Sequence, residues 1–210
     1  MLPSALLPRR NASSAWCAMS RDGIILYGPP ASGKDAITGA LSRISPECVL
    51  FQKLKAGDGR REGYRPTTLA DVERMQRIGL ILYANERYGN VYAVDRPALD
   101  ALLAQGLVPV VHMGQLAGVR AVRDYPAGWL SVLLWCPREV TEERVRERGA
   151  ADLGARLRAW DETARDLEQA DPSDFSLRIR TDWQTPTDAA EAIRARFAEG
   201  VSSPQLAQAP

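Results

Sequence analysis

The sequence predicts an α/β fold, a parallel sheet flanked by helices, and three observations carry that reading. A glycine-bounded loop, Gly28-Pro29-Pro30-Ala31-Ser32-Gly33-Lys34-Asp35, joins the apolar run Gly23–Tyr27 to residues 36–44, where Ile37, Ala40, Leu41 and Ile44 share one helical face. Residues 107–113 and 130–135 are nearly continuous apolar runs, as strands covered on both faces require. Strand-like and helix-like segments alternate along the chain, which implies parallel pairing with right-handed crossovers.

The elements follow in order. Ser45-Pro46 stops the first helix, and Cys48-Val49-Leu50-Phe51 reads as a second buried strand. Residues 52–68 hold three glycines, a proline and the cations Lys53, Lys55, Arg60, Arg61 and Arg65, which predicts a loop or small twisted sheet rather than a core element. Thr68 and Asp71 resemble a capping box opening a short helix that Gly79 ends. Residues 80–84 and 91–94 are strand candidates around a loop at 85–90. Asp95 caps the next helix, with Pro97 in its first turn and Gly106 at its close. Val119 and Val122 suggest a helix between the two apolar strands. A strongly charged helix is expected at 137–148, another at 153–169 with Leu157, Trp160, Ala164 and Leu167 on one face, an alternating strand at 174–180, and a last helix from Thr185 to about Glu199.

A chain of 210 residues, 45% of them hydrophobic, suits one domain, expected at 22–199. With 27 basic against 26 acidic residues the net charge is +1, so neither nucleic acid nor an anionic membrane is an expected partner. No apolar run approaches a membrane span. Cys17, Cys48 and Cys136 are scattered and in no metal spacing, which suggests reduced thiols and a cytoplasmic protein. A monomer or a homodimer is the expected state. Residues 1–21 place their arginines after the apolar stretch, the wrong order for a signal peptide, and read as a disordered tail in which Met19 is an alternative start. Residues 200–210 read as a second disordered tail.

The loop matches G-x-x-x-x-G-K in the strand–loop–helix setting that makes it a phosphate cradle. Its glycines admit phosphate oxygens to backbone N–H groups, the helix start adds positive potential, and Lys34 adds a charge. The Ser or Thr that usually follows the lysine and ligates magnesium is here Asp35, a candidate Mg²⁺ ligand in its place. The cations after the second strand can reach the crevice at the carboxyl ends of the strands. Lys53, Lys55, Arg61, Tyr64 and Tyr92 are therefore candidates to hold a phosphate on an acceptor. Arg144 and Arg148 share a helical face, Gly149-Ala150-Ala151 follows as a hinge, and Arg156 is in register to face back, the makings of a lid that clamps a moving phosphoryl group. His112, the single histidine, ends an apolar strand and is a further substrate-contact candidate.

The order of these features resembles the guanylate kinase family of P-loop nucleoside monophosphate kinases. The loop Gly28–Lys34 is similar to G-P-S-x-x-G-K, Gly89-Asn90-Val91-Tyr92-Ala93 to G-N-Y-Y-G, and Arg144 to Gly149 to the lid's R-x-x-x-R-G. Arg156-Leu157 is similar to the later R-L, and Asp174-Phe175 to the D-Y strand whose far end lies near adenine. The resemblance runs over residues 24–197. It implies ATP and Mg²⁺, an acceptor-binding insertion at about 52–94 and a helical lid at about 144–156. The family's guanine-reading D-I-D aligns with His112-Met113-Gly114, its T-T-R-x-P-R is missing, and its G-T/S after the tyrosine is Ala93-Val94. The ribose 1,5-bisphosphate phosphokinases, a related branch, look similar in the same regions. The expectation is an ATP-dependent kinase acting on a phosphate of a small phosphorylated acceptor, either a nucleotide or a phosphosugar. A non-catalytic nucleotide-binding module is the competing class, against which Lys34 and the lid arginines argue.

Overall fold

The computed structural model describes residues 21–59, 61–149 and 152–201. Arg60, the hinge residues Ala150 and Ala151, Cys17, Met19 and nearly all of both expected tails lie outside the described residues. The elements are β1 (Gly23–Tyr27), α1 (Lys34–Ile44), β2 (Cys48–Leu50), β3 (Lys53–Ala56), β4 (Tyr64–Thr67), α2 (Leu69–Arg77), β5 (Ile81–Arg87), β6 (Asn90–Asp95), α3 (Arg96–Ala104), β7 (Val108–Met113), α4 (Leu116–Arg123), β8 (Trp129–Trp135), α5 (Arg138–Glu147), α6 (Leu153–Glu168), β9 (Leu177–Arg180) and α7 (Pro186–Val201).

Five strands form the main sheet in the order β2-β7-β1-β8-β9, every pair parallel. The continuous apolar runs have the reason expected of them, because each face is covered. Ile24, Leu26, Val110, Leu130, Val132 and Leu134 pack against α1 and α7, through Ile37, Ala40, Leu41, Ala190 and Ile193. Ile25, Tyr27, Val111, Met113 and Leu133 point the other way, against Leu99 of α3 and Leu116, Val119 and Val122 of α4. Burying each such side chain contributes about 1.5–3 kcal/mol relative to exposure. Cys48 and Cys136 are buried free thiols.

Residues 52–68, expected as a loop or a small twisted sheet, supply β3 and β4 of a second sheet of four strands, β4-β3-β6-β5. One face rests on α2, where Val72 packs on Leu54, Ala56 and Ala93. Thr68 caps α2 by accepting from Asp71 N (3.1 Å). Asp71 answers through the Thr68 hydroxyl rather than the backbone amide, because its side chain is one carbon shorter than Glu. Asp95 caps α3 by accepting from Ala98 N (3.3 Å).

Three boundaries differ from expectation. The loop expected at 85–90 is only Tyr88-Gly89: Arg87 already pairs with Asn90, and φ values of 54° and 69° make a two-residue hairpin turn. The strand expected from Asp174 starts at Leu177, because Asp171 and Asp174 cap a 3-10 turn over Pro172–Asp174. The last helix continues through Gly200 to Val201, past its expected end. Among the described residues no helix is long and apolar enough to cross a membrane.

Candidate active site

The loop between β1 and α1 lies at the carboxyl ends of β1, β7 and β8. Gly28 N donates to Met113 O (3.3 Å), and a Cβ on Gly28 would sit 2.2 Å from Leu134 O, so only glycine fits between the strands. Gly33 caps α1 at φ 87°, a conformation disfavoured for other residues. Ala31 holds φ 56° without being glycine, local strain of the kind found at ligand clamps. The amides that open α1 have no acceptor within their own helix. The Lys34 ammonium folds back onto the loop, donating to Gly28 O (2.7 Å), Pro29 O (2.8 Å) and Ser32 Oγ (3.1 Å). Phosphate oxygens are the natural replacements for these neutral acceptors.

Beside the loop opens a cleft of about 420 Å³, within the range of small-ligand sites. Gly28, Pro30, Ala31, Ser32, Gly33, Lys34 and Asp35 line one side, and the second sheet lines the other with Lys53, Lys55, Tyr64 and Tyr92. Pro29 is buried under the loop and contributes its carbonyl to Lys34. Lys55 is buried between two rings, its Nζ 5.9 Å from the centroids of both Tyr64 and Tyr92, whose own centroids are 5.2 Å apart. His112 lies between the two sides. Its Nε2 is 2.7 Å from Thr38 Oγ1 and its Nδ1 is 3.5 Å from Asp35 Oδ1.

Electrostatics mark the cleft as a site for anions. Burial pushes Lys34 down to about 7, an effect that Asp35 opposes and that Lys53 and Arg87 reinforce. Burial and Arg87 together push Lys53 down to about 8. His112 is pushed down to about 3, mainly by burial and then by Lys34, so its ring is neutral at ordinary pH. Lys34, Lys53 and Arg87 disfavour one another's charge across the cleft, although Asp35 favours the charged form of Lys34 and Glu162 pairs with Arg87, and a polyanion would relieve that repulsion.

Several expected site residues stand elsewhere. Arg144 does not face the cleft: its guanidinium donates to Ala31 O (3.1 Å), Thr181 Oγ1 (3.3 Å) and Thr181 O (2.6 Å). It braces the strained loop against the segment after β9, because its side chain is long enough to reach those carbonyls from the last turn of α5. Arg61 is exposed and is not among the cleft residues, although Glu62, Gly63 and Tyr64 just after it are. Arg65 points to the opposite side of β4, ion-paired with buried Asp95. Arg148 is exposed at the cleft rim, while Arg156 lines the cleft, held by Asp152 (2.7 Å) and lying 5.7 Å from the Tyr88 ring centroid.

The sequence reading missed Tyr83, Asn85, Arg87 and Gln115, all in the cleft wall. Arg87 is 15% exposed and ion-paired with Glu162 of α6 (2.6 Å). The signal was present: Tyr83, Asn85 and Arg87 alternate at period two, as residues on one face of a strand do. Ending the strand at Ala84 concealed it.

A divalent cation and a nucleotide both fit the residues present. The loop supplies the cradle, and Asp35, its side chain 61% exposed, brings an oxygen donor to the cleft. Among the described residues no group of three or more His, Cys, Asp or Glu side chains gathers, so an ion here would complete its shell from phosphate and water.

Comparison with solved structures identifies the architecture. Guanylate kinase from Anaplasma phagocytophilum superposes with a TM-score of 0.61 at 16% identity, over 86% of each chain. The chain has a guanylate kinase-like P-loop fold. A sugar kinase from Janibacter sp. HTCC2649, in an unliganded structure, superposes with a TM-score of 0.54 at 17% identity, over 86% of this chain and 95% of that one. Shikimate kinase from Acinetobacter baumannii gives 0.49 at 14% identity over 88% and 97%. No protein-family model and no curated protein matches the sequence. At these identities the first two likenesses establish the fold alone.

Proposed function

We propose that this protein is an ATP-dependent kinase that transfers the γ-phosphoryl group to a phosphate on a small phosphorylated acceptor. One observation carries the reading: the phosphate loop and a wall of cations and tyrosines, built on two different sheets, face each other across one cleft. A binding module for nucleotide alone needs the first side but not the second.

The residues divide the work. The loop amides and Lys34 hold the β- and γ-phosphates of ATP, with Lys34 exchanging its carbonyl contacts for phosphate oxygens. Lys53, Lys55 and Arg87 receive the acceptor's phosphate, with Tyr64 and Tyr92 packing around it. Arg156 at the cleft and Arg148 at its rim are placed to neutralise charge on the moving phosphoryl group. Arg144 acts behind the loop, holding Ala31 where the cradle needs it. Asp35 would hold a divalent cation, whose chemistry there would be neutralisation of charge on the triphosphate. An acceptor phosphate is already anionic, so no side chain has to remove a proton from it.

A phosphorylated sugar is favoured over a purine nucleotide as the acceptor. In the family the sequence resembles, the aspartates that read guanine align with His112 and Gly114, and the His112 ring nitrogens face Thr38 and Asp35. Losing such base contacts costs about 1–3 kcal/mol each in discrimination. The sugar kinase fold neighbour is in keeping with this preference. The test is an ATP-consumption screen of purified protein against nucleoside monophosphates and phosphosugars. Turnover on a phosphosugar supports the reading, and ATP binding with turnover on none of them overturns it.

A further inference from the structure

We propose that Asp35 and His112 together form half of a divalent-cation site, one that favours nitrogen-accepting ions such as Mn²⁺ or Co²⁺ over Mg²⁺. The other half comes from a bound nucleoside triphosphate, so the site rests on the nucleotide-binding reading above.

The two side chains come from separate elements that meet beside the loop. Asp35 is the second residue of α1 and His112 the penultimate residue of β7. Both line the cleft, with Asp35 Oδ1 and His112 Nδ1 3.5 Å apart. Two ligands each about 2.0–2.2 Å from one cation stand about 3–3.5 Å apart, so one ion can take both with little movement.

The far side of the ring supports the same assignment. With Nδ1 on a cation, Nε2 carries the proton, and Thr38 Oγ1 lies 2.7 Å away to accept it. An outer partner of this kind fixes both the tautomer and the orientation of a ligating imidazole. Thr38 is buried and lies one turn beyond Asp35, so a single helical face carries both the carboxylate ligand and the group that positions the histidine.

Ion preference follows from ligand chemistry. Mg²⁺ demands oxygen ligands and gives up water reluctantly, whereas first-row transition ions accept imidazole more readily, Mn²⁺ modestly and Co²⁺ more strongly. Two protein ligands are a partial shell, and Lys34, Lys53 and Arg87 face the same cleft. Triphosphate oxygens supply the missing ligands and neutralise those cations, so ion and nucleotide should bind together.

The test follows Mn²⁺ by electron paramagnetic resonance in the full chain, with a non-hydrolysable ATP analogue present. His112 is the only histidine, so protein grown with ¹⁵N-histidine reports on that ring alone. The expected result is a nitrogen coupling to Mn²⁺ that changes with the label. His112→Gln should also weaken Mn²⁺ binding by at least the ten- to hundredfold, roughly, that losing even an outer partner costs, with a smaller loss for Mg²⁺. Mn²⁺ bound with the analogue but without histidine coupling overturns the site and leaves the kinase reading standing. Failure of the analogue itself to bind, read by calorimetry, overturns the kinase reading and this site with it.

Discussion

The two sides of the cleft are built on opposite principles. The phosphate-loop side is local: seven of its lining residues lie between Gly28 and Asp35 in one turn of chain. The acceptor side is assembled from β3, β4, β5 and β6, which place Lys53, Tyr64, Arg87 and Tyr92 on one surface from points 39 residues apart in sequence. A local site can be read as a motif. A site on a sheet face can be read only when strand limits and pleat are known, because one residue of slip sends every side chain to the other face. The basic run after β2 shows the consequence. Lys53 and Lys55 enter the cleft, Arg65 turns to Asp95, and Arg61 stays in solvent.

Substitutions can break this comparison, and the largest effect is expected on the loop side. Lys34→Met should lower turnover about a hundred- to a thousandfold, the scale of losing one donor to a transition-state oxyanion. The empty protein should melt at the same temperature or higher, because a crowded ammonium is removed. Melting well below wild type would show instead that the lysine's contacts with Gly28, Pro29 and Ser32 hold the loop together.

Arg87→Met tests the acceptor side. Losing a charged hydrogen bond worth about 1.5–3 kcal/mol should raise the acceptor KM by about ten- to a hundredfold, with ATP affinity little changed. Arg61→Ala should leave both constants alone. Equal effects from the two would mean that the basic run acts as a diffuse charge and that the sheet face does not select among its members.

Arg144→Ala and Arg148→Ala separate brace from rim. Arg144→Ala should destabilise by about 1.5–3 kcal/mol in denaturant unfolding and weaken ATP binding through the loop. Arg148→Ala should lower turnover while leaving stability unchanged. The reverse pattern would restore Arg144 to the phosphoryl group and make Arg148 structural.

The pH dependence is the mildest effect. Lys34 and Lys53 sit at about 7 and about 8 in the folded protein, below the ordinary lysine value. Anion binding favours their charged forms, so ATP analogue binding near pH 7.5 should take up protons, seen as a buffer-dependent enthalpy in calorimetry. Affinity should fall as pH rises through 7–8, by up to about tenfold per unit for each proton taken up. The empty protein should move the other way. Between the folded and unfolded lysine values the unfolded chain binds more protons, so stability should rise with pH from about 7 towards 10.5. Proton release on binding would remove the cation cluster from the site.

The sequence by itself determined the alternating α/β order, the strand–loop–helix around Lys34, the caps at Thr68 and Asp95, and the apolar strands β7 and β8. Each rests on contacts within a few residues or on side-chain periodicity, which the order of residues fully specifies. Only the tertiary structure decided which cations share a surface, that Arg144 turns to Ala31 and Thr181, and that His112 meets Asp35 and Thr38. Those depend on how strands register and how far a long side chain can reach for a buried carbonyl. Neighbours of that kind are separated by up to 113 positions in the chain, and no local pattern encodes them.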